Sequence, residues 1–184
     1  GDQPVALAVA PDNFVWVVNR RDASVSRIDP AAQSVTGTYT LPHASQPYGI
    51  VIHEMLGTAF VALEGTSQIV RLDLASGSVT DTTFVGGTPR HLSVDPASDQ
   101  LLVSMFVTPL LPNEATAAPV VESGGVQYGG QVLALDAVSM QQTNVAVLQH
   151  SDRNVSEHSG PGVPNYLGPA VVSPDGTGAW VPSK

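Results

Sequence analysis

The stretch QPVALAVAPDNFVWVVNRRDASVSRIDPAAQSV, Gln3 to Val35, returns in altered form as QPYGIVIHEMLGTAFVALEGTSQIVRLDLASGSV, Gln46 to Val79. Pro4 matches Pro47 and Asp29 matches Asp73. A third copy starts at Thr88 with TPRHLSVDPASDQLLVSMF, and a fourth at Val163 with VPNYLGPAVVSPDGTGAWV. The marker prolines at 4, 47, 89 and 164 are 43, 42 and 75 residues apart, so the third copy carries extra chain. A self-similar period of about forty residues is the mark of an architecture in which small units bury their apolar faces against one another.

Each copy reads as four short apolar runs separated by turn chemistry. In the first copy they are Val5 to Val9, Val15 to Val18, Ser24 to Ile28 and Ser34 to Thr40. The second run is apolar throughout, as expected for a strand covered on both faces. The fourth alternates and should have one wetter face. Proline followed by Asp-Asn at 11 to 13, or Asp-Gly at 174 to 176, suits tight turns. Asp29, Asp73 and Asp136 each close a third strand, where a carboxylate can accept from amides just ahead; they are read as turn locks, not acids. Helical spacing of apolar residues is missing over any long window. Four strands per forty residues is the grammar of a β-propeller blade, whereas a sandwich would not need the periodicity.

These residues resemble the YVTN or YncE-like repeats of bacterial propellers. The likeness rests on VWVVN at Val15 to Asn19, AFVALE at Ala59 to Glu64 and the recurring V-x-R-[IL]-D type of third strand, VSRID at Val25 to Asp29 and, with Ile in the first place, IVRLD at Ile69 to Asp73. The closing GVPNYLGPAVVSPDGTGAWVPSK looks like a subgroup found in large exported proteins, some with a cytochrome c domain beyond the propeller. The resemblance implies an all-β propeller fragment of about three and a half blades, spanning about 3–44, 45–86, 87–160 and an incomplete 161–184. It also implies a periplasmic or extracellular location. An unfinished ring leaves apolar blade faces uncovered at its ends, so a protein partner or self-association into a homo-oligomer is expected there.

Composition narrows the partners. The chain has 184 residues, 42% hydrophobic and 12% charged, a net charge of −9, and no cysteine. Its six arginines form no basic stripe and its one lysine is the last residue, so nucleic acid is disfavoured, as is a polybasic contact with membrane. No apolar run is long enough to span a bilayer as a helix. Disulfides and zinc–thiolate sites within these residues are excluded.

Candidate site residues follow from the repeat. The side chains just after each marker proline are Val5 and Ala6, Tyr48 and Gly49, Arg90 and His91, Asn165 and Tyr166. In a propeller these positions converge at one mouth of the axial channel, with the backbone kept and the side chains varied. Arg90 suits an anionic group, and Tyr48 and Tyr166 suit stacking or hydrogen bonding. Asn19 and Glu64, at the ends of the second strands, form a second set. The insertion Val107 to Gly129 is expected to be a loop able to form a short hairpin over one face, and long loops of this kind carry function or are merely decorative. A further extension, Gln149 to Gly162, holds His150, Asp152, Glu157 and His158, a ligand-like set without a fixed metal spacing, and a glycosylation sequon at Asn154.

No nucleophile elbow, zincin helix, phosphate loop or EF-hand loop is present. The leading expectation is a non-catalytic binding propeller with no metal and no cofactor. Some related propellers act as metal-dependent lactonases or work beside redox cofactors, which makes an enzyme fragment the second reading; a cell-surface structural repeat is the third.

Overall fold

The computed structural model describes residues 1–95, 97–108, 121–123, 126–149 and 166–183, and among these every regular element is a β-strand. Blade 1 contains β1 (Pro4–Val9), β2 (Val15–Asn19), β3 (Ser24–Asp29) and β4 (Ser34–Thr40), an antiparallel meander in chain order. Blade 2 repeats it with β5 (Pro47–His53), β6 (Thr58–Leu63), β7 (Gln68–Asp73) and β8 (Val79–Phe84). Blade 3 comprises β9 (Thr88–Asp95), β10 (Gln100–Val107), β12 (Val126–Asp136) and β13 (Gln142–Gln149), with β11 (Val121–Ser123) paired to the start of β12. Blade 4 shows β14 (Val171–Val172) paired to β15 (Ala179–Trp180). The innermost strands follow one another around the axis, β1 against β5, β5 against β9 and β9 against β14. The chain is an all-β, open arc of propeller blades.

The uninterrupted apolar second strands have a packing reason. Along β6, Ala59, Val61 and Leu63 join a core with Trp16, Val18, Val25 and Leu41 of blade 1. The alternate residues Phe60 and Ala62 join the other core, with Leu101, Val103, Met105, Leu133 and Leu135 of blade 3. A strand with a blade on each side has no wet face. Burying a Leu- or Phe-sized side chain contributes about 1.5–3 kcal/mol, so the stacked faces are the main source of cohesion. The outer strands β4 and β8 show the alternating exposure expected of them.

The rim turns repeat one chemistry. Asp29 Oδ1 accepts from the Ala31 and Ala32 amides at 2.9 and 3.0 Å. Asp73 Oδ1 accepts from the amide and hydroxyl of Ser76, both at 2.7 Å, and Asp136 does the same with Ser139 at 2.6 and 2.7 Å. The bonds reach two or three residues ahead, a little farther than a simple Asx turn. The Ser76 hydroxyl bond and then its amide hold the Asp73 carboxyl below its ordinary range, and the Ser139 amide and then hydroxyl do so for Asp136. In the Asp73 turn Gly77 sits at φ +71°, and a Cβ there would meet the Tyr39 ring at 1.9 Å, so only glycine lets the blade 2 rim lie on blade 1.

The insertion carries the short hairpin expected of it, Val121–Ser123 pairing with the start of β12, and the sheet resumes at Val126, a little before the expected loop end at Gly129. The paired strands extend the blade because β12 runs on beyond the end of β10. The ligand-like set His150, Asp152, Glu157 and His158, and Asn154, lie outside the described residues.

Candidate axial site

The three full blades share an irregularity at the same place. Register shifts interrupt the pairing of the innermost strand between Pro4 and Ala6 in β1, between Pro47 and Ile50 in β5, and opposite Met105 and Val107 at the start of β9. A bulge frees a residue from the ladder and re-aims its side chain. Val5, Tyr48, Gly49 and Arg90 fall in these breaks, whereas Ala6 and His91 are already paired, with Val18 and Ser104. Gly49 is needed for a second reason: a Cβ there would lie 2.2 Å from the Arg90 carbonyl oxygen, and its absence lets β5 and β9 close up at the axis.

Tyr48, Arg90, His91 and Tyr166 are brought together, as the repeat implies. They line one cleft of about 350 Å³ with Phe106, Leu167, Gly168, Pro182 and Ser183. The Arg90 guanidinium lies 4.6 Å from the Tyr48 ring centre and 3.2 Å from that of Phe106. Tyr48 meets His91 edge to face at 5.5 Å, and Phe106 meets Tyr166 at 4.7 Å. Tyr166 has φ +50° and is exposed on one side of the cleft. Asn165 lies outside the described residues.

Glu64 sits beneath this cluster. Its side chain is 4% exposed, and it accepts from Arg20 Nη2 at 2.8 Å through Oε2 and from Arg90 Nε through Oε1. Arg20 Nη2 also donates to Gln46 Oε1 at 3.0 Å. The carboxylate therefore joins three blades, with Arg20 arriving from blade 1 and Arg90 from blade 3. Two guanidinium groups against one carboxylate leave the cluster one positive charge, in a chain that is otherwise strongly acidic.

The equivalence of Asn19 with Glu64 needs correction by one residue. Pro4 pairs with Asn19 and Pro47 with Leu63, and the Arg20 and Glu64 amides donate to the carbonyls of Gln3 and Gln46 in matching turns. Pro89 pairs with Met105. Arg20, Glu64 and Phe106 are thus the three occupants of one repeat position. The turn before β6 holds one residue more than the turn before β2, so the offset between the two blades is 44 beyond it and position 20 matches position 64. Asn19 instead turns into blade 1, where it is buried and its Nδ2 donates to Ser24 Oγ at 3.1 Å and Ser26 Oγ at 2.9 Å. Arg20 and Phe106 were missed; counting back nine residues from the matched Asp29 and Asp73 pairs Arg20 with Glu64, and counting on 17 from Pro47 and Pro89 pairs Glu64 with Phe106.

Burial, and then the neighbouring Arg90 charge, lower the His91 pKa, while Glu64 opposes them. The ring is accordingly biased to its neutral form, able to donate from one nitrogen and accept at the other. The site thus offers aromatic faces, a guanidinium, and a neutral imidazole around a concave opening.

No family model matches the sequence, and no match is found among curated proteins. Solved structures do resemble it. Hydrazine synthase from Kuenenia stuttgartiensis superposes with a TM-score of 0.70 at 21% identity, covering 94% of this chain and 41% of that one. A functionally unknown protein from Desulfotomaculum acetoxidans gives 0.64 at 17%, covering 98% and 49%. Apo AztD from Citrobacter koseri gives 0.54 at 15%, covering 77% and 34%. At these identities the likeness concerns the β-propeller fold. The chain spans less than half the length of each of the three.

Proposed function

We propose that the chain is a non-catalytic binding domain of the YVTN/YncE-like repeat type, from an exported bacterial protein, whose axial cleft takes a small anion with a flat apolar face. The observation that supports this most is the stacking of Arg90 between Tyr48 and Phe106 with its Nε already bonded to Glu64. A guanidinium has five N–H donors in a rigid fork, so the remaining edge can meet a carboxylate or phosphate while the rings cover its planar part. The variation of side chain at a kept backbone position, Val5, Tyr48 and Arg90 in successive blades, suits recognition built onto a scaffold.

The enzyme reading would place a divalent metal on Glu64. Both of its oxygens accept from arginines, and two cations at hydrogen-bond range oppose a third. Calorimetric titration separates the readings. Benzoate and inorganic phosphate are the anion probes, calcium and zinc the metal probes. Benzoate binding that is lost in Tyr48→Ala and weakened in His91→Ala is expected. Micromolar calcium or zinc binding abolished by Glu64→Ala would replace this reading with the enzyme one.

A further inference from the structure

Arg90 and His91 are neighbours in β9, and the side chains of neighbouring strand residues ordinarily leave on opposite faces. Here both line one cleft. The ladder explains it: Ser104 pairs with His91 and Met105 with Pro89, so Arg90 is the residue passed over, and a bulge of this kind re-aims a side chain out of the alternation. Blade 3 thus presents a cation and an imidazole side by side where a regular strand presents one of them. Their blade has a neighbour on either side, as does the blade of Tyr48, so the grouping does not depend on the ends of the arc.

The hydrogen-bonding groups of this pair are unevenly used. Arg90 commits its Nε to Glu64, and no other described residue accepts from its guanidinium, which leaves the edge carrying both Nη groups for a bidentate contact. His91 meets the Tyr48 ring at an interplanar angle of 88°, which fixes the imidazole plane. Among the described residues neither of its ring nitrogens has a hydrogen-bond partner. Arg20, Arg90 and Glu64 together carry one net positive charge, which a single carboxylate balances and a phosphate dianion exceeds. At about 350 Å³ the cleft lies at the small end of ligand sites, and Phe106 and Tyr166 give it ring faces.

We infer that the ligand is a hydroxylated aromatic monocarboxylic acid with a single ring, its carboxylate on the Nη edge of Arg90, its ring against the aromatic walls and its hydroxyl on His91. This rests on the anion reading above and names the ligand class within it. A hydroxyl donates and accepts, so it suits either tautomer of a neutral imidazole; an ammonium or a second carboxylate would bring a charge that a neutral ring does not offset. Arg90 attracts carboxylates in general, and His91 sets the specificity, since a site built to hydrogen-bond a hydroxyl discriminates against the analogue lacking it.

Calorimetric titration of the full 184-residue chain with benzoate, 3-hydroxybenzoate, 4-hydroxybenzoate and inorganic phosphate tests it. At least one hydroxy acid is expected to bind about three- to tenfold more tightly than benzoate, as one hydrogen bond between neutral groups allows. Phosphate should bind more weakly than that acid. In His91→Phe, whose ring keeps the contact with Tyr48 and has no nitrogen, the preference for the hydroxy acid over benzoate should vanish, with circular dichroism confirming the fold. In the wild-type chain, the NMR signals of the His91 ring nitrogens should move farther with the preferred hydroxy acid than with benzoate, a measurement that needs no variant. A preference below about threefold, a preference that persists in His91→Phe, ring nitrogens that respond alike to both acids, or phosphate as the tightest probe overturns the inference. If benzoate binds and neither hydroxy acid improves on it, the anion reading survives and the hydroxyl is struck out; if no aromatic acid binds, both fall.

Discussion

The rim and the mouth of the arc obey opposite rules. At the rim, Asp29, Asp73 and Asp136 do the same work in three blades, each gathering hydrogen bonds from the residues just ahead. At the mouth, the equivalent positions hold Arg20, Glu64 and Phe106, and Val5, Tyr48 and Arg90, no two alike within a set. Rim bonds are local, so any blade can make them unaided and the same residue serves each time. Mouth contacts run between blades, as in Arg20–Glu64 and Arg90–Glu64, and a side chain there is chosen to complement a different neighbour. Repetition thus marks what a blade needs for itself, and variation marks what the assembled arc presents.

The contrast can be broken most forcefully at Glu64. Glu64→Ala strands two half-buried guanidinium groups, and a loss of about 3 kcal/mol is expected from removing one partner of a buried ionic group. Urea denaturation measures it, and a loss under 1 kcal/mol would mean that the cluster does not join the blades. Next comes Gly49→Ala, whose Cβ would collide with the Arg90 carbonyl; about 1–3 kcal/mol is expected by the same measurement. If it is neutral, the close approach of β5 to β9 is not required.

A smaller effect attends His91. Because its native pKa is lowered, protonation favours the unfolded chain. The stabilisation is present above the ordinary value of 6.5 and is lost as pH falls through that value toward the native one. Stability should decline over this range in the wild type and less so in His91→Gln, and the ring's NMR midpoint should lie below 6.5. A midpoint above 6.5 would show that Glu64 outweighs burial and Arg90.

The rim should respond least near neutrality and only in acid. The Ser139 amide, followed by its hydroxyl, lowers the Asp136 pKa below its ordinary 3.8. The contribution is present above 3.8 and is lost as pH falls below that value toward the native one. Carboxyl NMR should show Asp136 titrating below an unperturbed aspartate, and Ser139→Ala should move it upward. An unshifted Asp136 would remove the rim's side of the contrast.

Much of this was open to reading before any coordinates. The strands of blade 1 fall within a residue of the expected runs, because alternation, turn residues and the recurring aspartates are encoded within a few positions of one another. The gathering of Tyr48, Arg90, His91 and Tyr166 followed from periodicity alone, since equivalent positions in radially stacked units must converge. The alignment failed at Asn19, because the β5–β6 turn adds a single residue, the offset from blade 1 to blade 2 beyond it is 44, and the counterpart of Glu64 is Arg20.

By itself the sequence determined the blade count among described sheets, the strand order within each blade and the aspartate locks, all of which depend on local spacing. Tertiary structure alone decided that Glu64 would be shared by two arginines 44 and 26 residues away, that Phe106 would cover Arg90, and that Asn19 would turn inward to two serines. The same is true of the two tryptophans, which share a repeat position and differ in exposure because only one has a blade laid against it. Those outcomes depend on distances between blades, which no single repeat contains.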